Sequence, residues 1–152
     1  MEQIIPDGYC LGCRGCCRFS HSEGPWLPQL LNGEKKRHAE GVRVVACDEK
    51  QGCAFRCVHL DTGANTCAIY RTRPFECRLY PFVLNRRDGK FFLSVDPNCR
   101  YIEEHSGGKD FKAYADRVRR FLAAPEVIEE LRCNRDMFQS YTDVRDIAEL
   151  PV

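Results

Sequence analysis

The 152-residue chain has room for one domain of ordinary size, and at 43% hydrophobic its apolar core is modest for that length. With 23 Lys and Arg against 22 Asp and Glu, the net charge of +1 argues against nucleic acid or a membrane surface as partner, and the mean hydropathy of −0.45 agrees with a soluble protein. Eleven cysteines are the compositional oddity, just under the share that marks a disulfide scaffold. No basic segment followed by an apolar one opens the chain, and no apolar run nears the roughly 18–20 residues of a membrane span. The expected compartment is therefore cytoplasmic, where clustered thiols stay reduced and serve as metal ligands more often than as bridges. The odd cysteine count would also leave one thiol outside a complete disulfide framework.

Taken in chain order, residues 8–20 combine Gly8, Gly12 and Gly15 with four cysteines and read as a tight loop whose amides can approach sulfur. Trp26 and Leu27, in EGPWLPQLL, are expected to pack as a lid. VRVVA at 42–46 has the β-branched content of a short strand. In CVHLDTGANTCAIY two apolar runs flank the turn signal at 61–65, which predicts paired strands and brings Cys57 close to Cys67. Pro74 suits the first turn of a short helix in TRPFEC. LYPFVLNRRDGKFFLSV reads as a hairpin turning at Asp88-Gly89. Phe111, Tyr114, Ala115, Val118, Phe121 and Leu122 recur at helical spacing over 109–122, and PEVIEELR predicts a shorter helix opened by Pro125. The expected fold is a small, cysteine-rich, metal-stabilised α+β domain with short β-hairpins. Residues 1–108 form its metal-binding region and 109–152 its C-terminal helical flank.

YCLGCRGCC places Cys10, Cys13, Cys16 and Cys17 as C-x2-C-x2-C-C. A C-x2-C turn lets two thiolates converge on one metal, and the three-cysteine run resembles the start of a ferredoxin binding run. Adjacent side chains in an extended segment point apart, so Cys16 and Cys17 face different sites, or one is simply a small buried hydrophobe. Cys57, Cys67, Cys77 and Cys99 come singly, 10, 10 and 22 residues apart. Zinc ribbons pair two C-x2-C knuckles, so isolated ligands imply a site assembled by the tertiary fold.

These motifs carry a family resemblance. CLGCRGCC, CVHLD, CAIYRTRPFECRLYPF and the late Cys99 resemble the CxxCxxCC family of bacterial and archaeal cysteine-cluster proteins, described as zinc- or iron-chelating. The pattern falls on Cys10, Cys13, Cys16, Cys17, Cys57, Cys67, Ile69, Tyr70, Arg73, Pro74, Cys77, Arg78, Pro81, Phe82 and Cys99, over about residues 10–100. The chain departs from it by reading CVHL where the family prefers C-P-F-L, which brings His59 into view as a spare ligand. A similar cluster in flagellin lysine methylases implies an iron–sulfur centre there, but nothing here resembles their methyl-donor domain.

The eight matched cysteines are the expected metal ligands, for a 4Fe–4S cluster or for zinc. Arg73 and Arg78 are expected around them, donating charge-assisted hydrogen bonds to an anionic thiolate centre. Cys47, Cys53 and Cys133 lie outside the pattern and read as ordinary buried or reactive cysteines; His21 joins His59 as a histidine to check. A cluster implies a redox, sensing or maturation role, and zinc a structural or chelating module. A thiol oxidoreductase or methylase-like accessory keeps an enzymatic role open, although no catalytic constellation other than the cysteines appears. A protein-interaction module would rest on the amphipathic face of 109–122 and on Trp26.

Overall fold

The computed structural model describes residues 5–13, 15–38, 42–48 and 52–152. Helices and small antiparallel sheets make it an α+β fold, divided into two compact units, Ile5–Arg78 and Leu79–Val152.

The first unit is built from very short elements. Its glycine-rich opening is not a loop throughout: α1 spans Asp7–Gly12 and ends where the Cys13 N–H bonds to the Tyr9 carbonyl at 2.8 Å. A turn through Cys17, whose φ of 61° is left-handed, leads into β1, Arg18–Phe19. Trp26 is 41% exposed, and Leu27 beside it is half-buried. Helix α2 spans Asn32–Lys35, and the VRVVA segment supplies β2, Val44–Ala46. β3, Phe55–Cys57, pairs antiparallel with both β1 and β2 and forms the centre of a three-stranded sheet. The turn signal at 61–65 joins β4, Leu60–Asp61, to β5, Thr66–Cys67, with Leu60 opposite Cys67. A 3-10 turn at Tyr70–Thr72 follows, and then α3, Phe75–Leu79, begins directly after Pro74. Among the described residues of this unit, Ile5, Cys57, Leu60 and Phe75 are its buried hydrophobic side chains. That is a thin apolar core for a segment of this length, since small folds bury too little surface to be stable on it alone.

The second unit has an ordinary core. β6, Phe82–Arg87, and β7, Lys90–Val95, form the predicted hairpin, and Asp88 and Gly89 at φ 52° and 74° supply the two left-handed residues such a turn needs. The sequence reading missed helix α4, Arg100–His105, and also β8, Arg145–Leu150, which adds to β7 with an irregularity between Leu93 and Ser94. The predicted helices are α5, Lys109–Leu122, and α6, Pro125–Arg132. Along α5 the predicted face is buried except at Phe121, which is 38% exposed. Phe82, Leu84, Leu93 and Val95 of the sheet are fully buried, as are Val118, Leu122 and Leu131 of the helices, and Phe82 stacks on Phe111 at 5.8 Å between ring centroids. No helix among the described residues is long and apolar enough to cross a membrane.

Candidate metal centre

Four thiols of the first unit, drawn from a turn, two strands and a helix, influence one another electrostatically. The left-handed φ of Cys17 turns it away from the path of Cys16, leaving Cys16 exposed and Cys17 partly buried. The Cys17 carbonyl accepts the Cys57 N–H at 2.9 Å, and the Cys17 thiol hydrogen-bonds the Cys57 sulfur. Cys57 ends the central strand of the sheet and is buried, Cys67 closes β5, and Cys77 sits in α3. The charges of Cys57 and Cys67 act on Cys77, and those of Cys57, Cys77 and Cys16 act on Cys17.

Backbone amides hold three sulfurs in the same way. The Gly15 N–H donates to Cys13 Sγ at 3.4 Å, the His59 N–H to Cys57 and the Ile69 N–H to Cys67. Each donor is two residues past its cysteine, where a tight turn brings the amide back onto sulfur. Amide donors stabilise a thiolate and tune a metal bound to it. His59, singled out as a spare ligand, therefore serves Cys57 through its backbone.

Electrostatics make the four thiols unequal. The Cys17 hydrogen bond, assisted by the His59 amide and Arg56, lowers Cys57 to about 6 against the opposing effect of burial. Cys17 is raised, chiefly because it donates that hydrogen bond and then because it is buried. Burial pushes Cys77 up to about 12, with the Glu76 carboxylate and the neighbouring thiols adding to it and Arg73 opposing. Burial also raises Cys67, with the Ile69 amide and Arg73 opposing. Arg73 thus favours thiolate at two sulfurs, while its guanidinium lies 4.0 Å from the centre of the Tyr70 ring. Arg78 pairs with Glu34 at 3.6 Å.

Residues outside the motif brace the site. Glu34 also accepts the Phe75 N–H at 2.8 Å at the start of α3, and buried Glu76 accepts the Gln29 N–H. Asn65, read from the sequence only as a turn residue, adopts a φ of 53° and turns its amide onto the first cysteine run. Its Nδ2 donates to the carbonyls of Leu11 at 2.7 Å, Cys13 at 3.0 Å and Cys10 at 3.4 Å, while its Oδ1 accepts from Arg18 at 2.9 Å.

The CxxCxxCC family, which carries the description "Putative zinc- or iron-chelating domain", matches residues 9–100. The chain belongs to the CxxCxxCC family. It is also 32% identical over 81 residues to "Uncharacterized protein MJ0661" of Methanocaldococcus jannaschii, a match covering 49% of this chain and 44% of that protein. The chain therefore spans less than half the length of this curated relative, and no solved structure matches it. Family membership supports metal binding, with zinc or iron as the metals that the description names.

Within this CxxCxxCC domain the structure distributes the predicted ligands unevenly. Cys17, Cys57, Cys67 and Cys77 interact as one cluster. Cys10 and Cys13 lie on the Asn65-tethered segment, partly buried, and Cys16 is exposed beside them. Cys99 belongs to the second unit, buried just before α4, and Cys133 is exposed there. Cys47 and Cys53 depart from expectation: they are joined in a disulfide, because the β2–β3 ribbon sets their Cα atoms 5.8 Å apart, within bridging range. His21 is exposed. Four sulfurs with amide donors and a nearby guanidinium are a donor set suited to a thiophilic metal. Among the described residues, no three His, Cys, Asp or Glu side chains converge as closely as a single ion requires.

Proposed function

We propose that Cys17, Cys57, Cys67 and Cys77 hold a 4Fe–4S cluster and that the protein acts in redox, sensing or maturation chemistry. The observation behind this reading is a four-thiol cluster drawn singly from four elements, with amide N–H groups already aimed at two of its sulfurs. Thiolates around one zinc would sit about 2.3 Å from the metal and within roughly 4 Å of each other. These thiols feel one another's charge, and the ferredoxin-like first run with partners scattered singly along the chain favours the cluster over zinc. Cys10, Cys13 and Cys16 form a second thiol set in ferredoxin-like spacing on the Asn65-tethered segment. Arg73 offsets the negative charge of the centre, and Arg78 supports it indirectly, through Glu34 and α3. The bound cluster would supply one-electron chemistry. The protein's part is to bind it, bias its charge and exclude water.

Anaerobic expression followed by an absorbance spectrum and iron, sulfide and zinc analysis on one sample tests this. The expected result is a brown protein absorbing broadly near about 400 nm with about four irons and four sulfides per chain. A colourless protein carrying stoichiometric zinc overturns the cluster and leaves a chelating or structural module.

A further inference from the structure

We infer that Cys47 and Cys53 form a thiol–disulfide exchange site separate from the metal centre, with low-molecular-weight disulfides and thiols as its substrates. Two independent observations converge on these residues. Among the eleven cysteines, Cys47 and Cys53 are joined in a disulfide. They are also two of the three cysteines outside the family pattern, so the bond leaves every patterned cysteine available to metal.

The position suits exchange. Both cysteines are only partly buried, and Ala46, Asp48, Gly52 and Ala54 beside them are exposed, so the pair lies on an exposed stretch of the chain. The pair closes the open end of the β2–β3 ribbon, where the Cys47 N–H bonds to the Ala54 carbonyl at 2.9 Å. Farther along the same ribbon, Val44 lies opposite Cys57. The bond therefore ties β2 to β3, the strand that carries Cys57, without using a thiol of the centre.

In the oxidising direction, one protein thiolate attacks a sulfur of the small disulfide RSSR, forming a mixed disulfide and releasing RS⁻. The second protein thiolate attacks the protein-bound sulfur of that mixed disulfide and releases the second RS⁻. Two protein thiols are oxidised to one disulfide, and RSSR is reduced to two RSH, which take up the two protons released.

The test uses the full metal-loaded chain, reduced and desalted anaerobically, then equilibrated in glutathione buffers of graded oxidised-to-reduced ratio. Free thiols are alkylated, peptides are mapped by mass, and metal per chain is measured on the same samples. The expected result is one transition in which Cys47 and Cys53 alone lose alkylation while metal per chain stays constant. The C47S/C53S double variant should load the same metal and show no transition. Metal lost in step with the oxidation would make the pair ligands and overturn the inference. So would bridging of either cysteine to Cys10, Cys13, Cys16 or Cys17, or both remaining alkylated at the most oxidising ratio. Absence of metal from the purified protein would instead count against the proposed centre, a readout distinct from the 47–53 linkage.

Discussion

Cys57 is the one thiol of the cluster whose surroundings favour the charged form, and the largest source is a single neighbour, Cys17. In metal-free protein its alkylation rate should titrate near about 6, and Cys17→Ala should move that midpoint up towards the ordinary value of 9.0 by removing the donated hydrogen bond. Rates of iodoacetamide labelling against pH measure this; an unmoved midpoint would assign the shift to the His59 amide and Arg56. The sign for stability follows from linkage. A depressed Cys57 stabilises the metal-free fold fully above 9.0, and that contribution is lost as pH falls through about 6. Because Cys17, Cys67 and Cys77 are raised while Cys57 is lowered, loading the four thiols near neutral pH should release about three protons, four minus the one already lost. Calorimetry in buffers of different ionisation enthalpy counts them. Asn65 offers a second test at this scale. Asn65→Gly keeps the left-handed backbone but removes the clamp on three carbonyls, so it should cost about 1–3 kcal/mol of first-unit stability and speed metal loss to a chelator.

At the scale of elements, α3 has only five residues, too few to be stable alone, and it carries Cys77. It is held from outside, by Glu34 on the Phe75 amide and on Arg78 and by Glu76 on Gln29. Glu34→Ala should therefore lower metal retention more than Arg78→Ala, because it releases the helix start as well as the exposed ion pair. Chelator-driven metal release from the two variants compares them directly. The hairpins and the two long helices were legible because their signals are local: Asp88-Gly89 at a turn, and apolar residues at helical spacing. Helix α1 was obscured by glycines that read as a loop. β8 was invisible because RDIAEL becomes a strand only through β7, which lies about fifty residues earlier in the chain.

For the whole molecule, the two units should respond differently to metal removal. Among the described residues the first has few buried apolar side chains, so metal bound there should contribute folding energy; the second has a dense core from Phe82 to Leu150. Chelation should abolish amide protection across Ile5–Arg78 and preserve it in β6, β7 and α5, as read by hydrogen exchange. Leu84→Ala should do the opposite, destabilising the second unit by about 2–5 kcal/mol with metal content unchanged.

The sequence by itself determined the chemistry: the eight patterned cysteines, their family and the preference for a thiophilic metal all follow from residue type and spacing, which are local. It also determined the turns and helices, whose stabilising contacts lie within a few residues. Only the tertiary structure decided which thiols feel one another's charge: Cys17 in a left-handed turn, Cys57 on a central strand, Cys67 at the end of β5 and Cys77 in a braced helix. It likewise paired Cys47 with Cys53 and gave Asn65 its clamp, since both depend on strand register and chain reversal, which no spacing rule encodes.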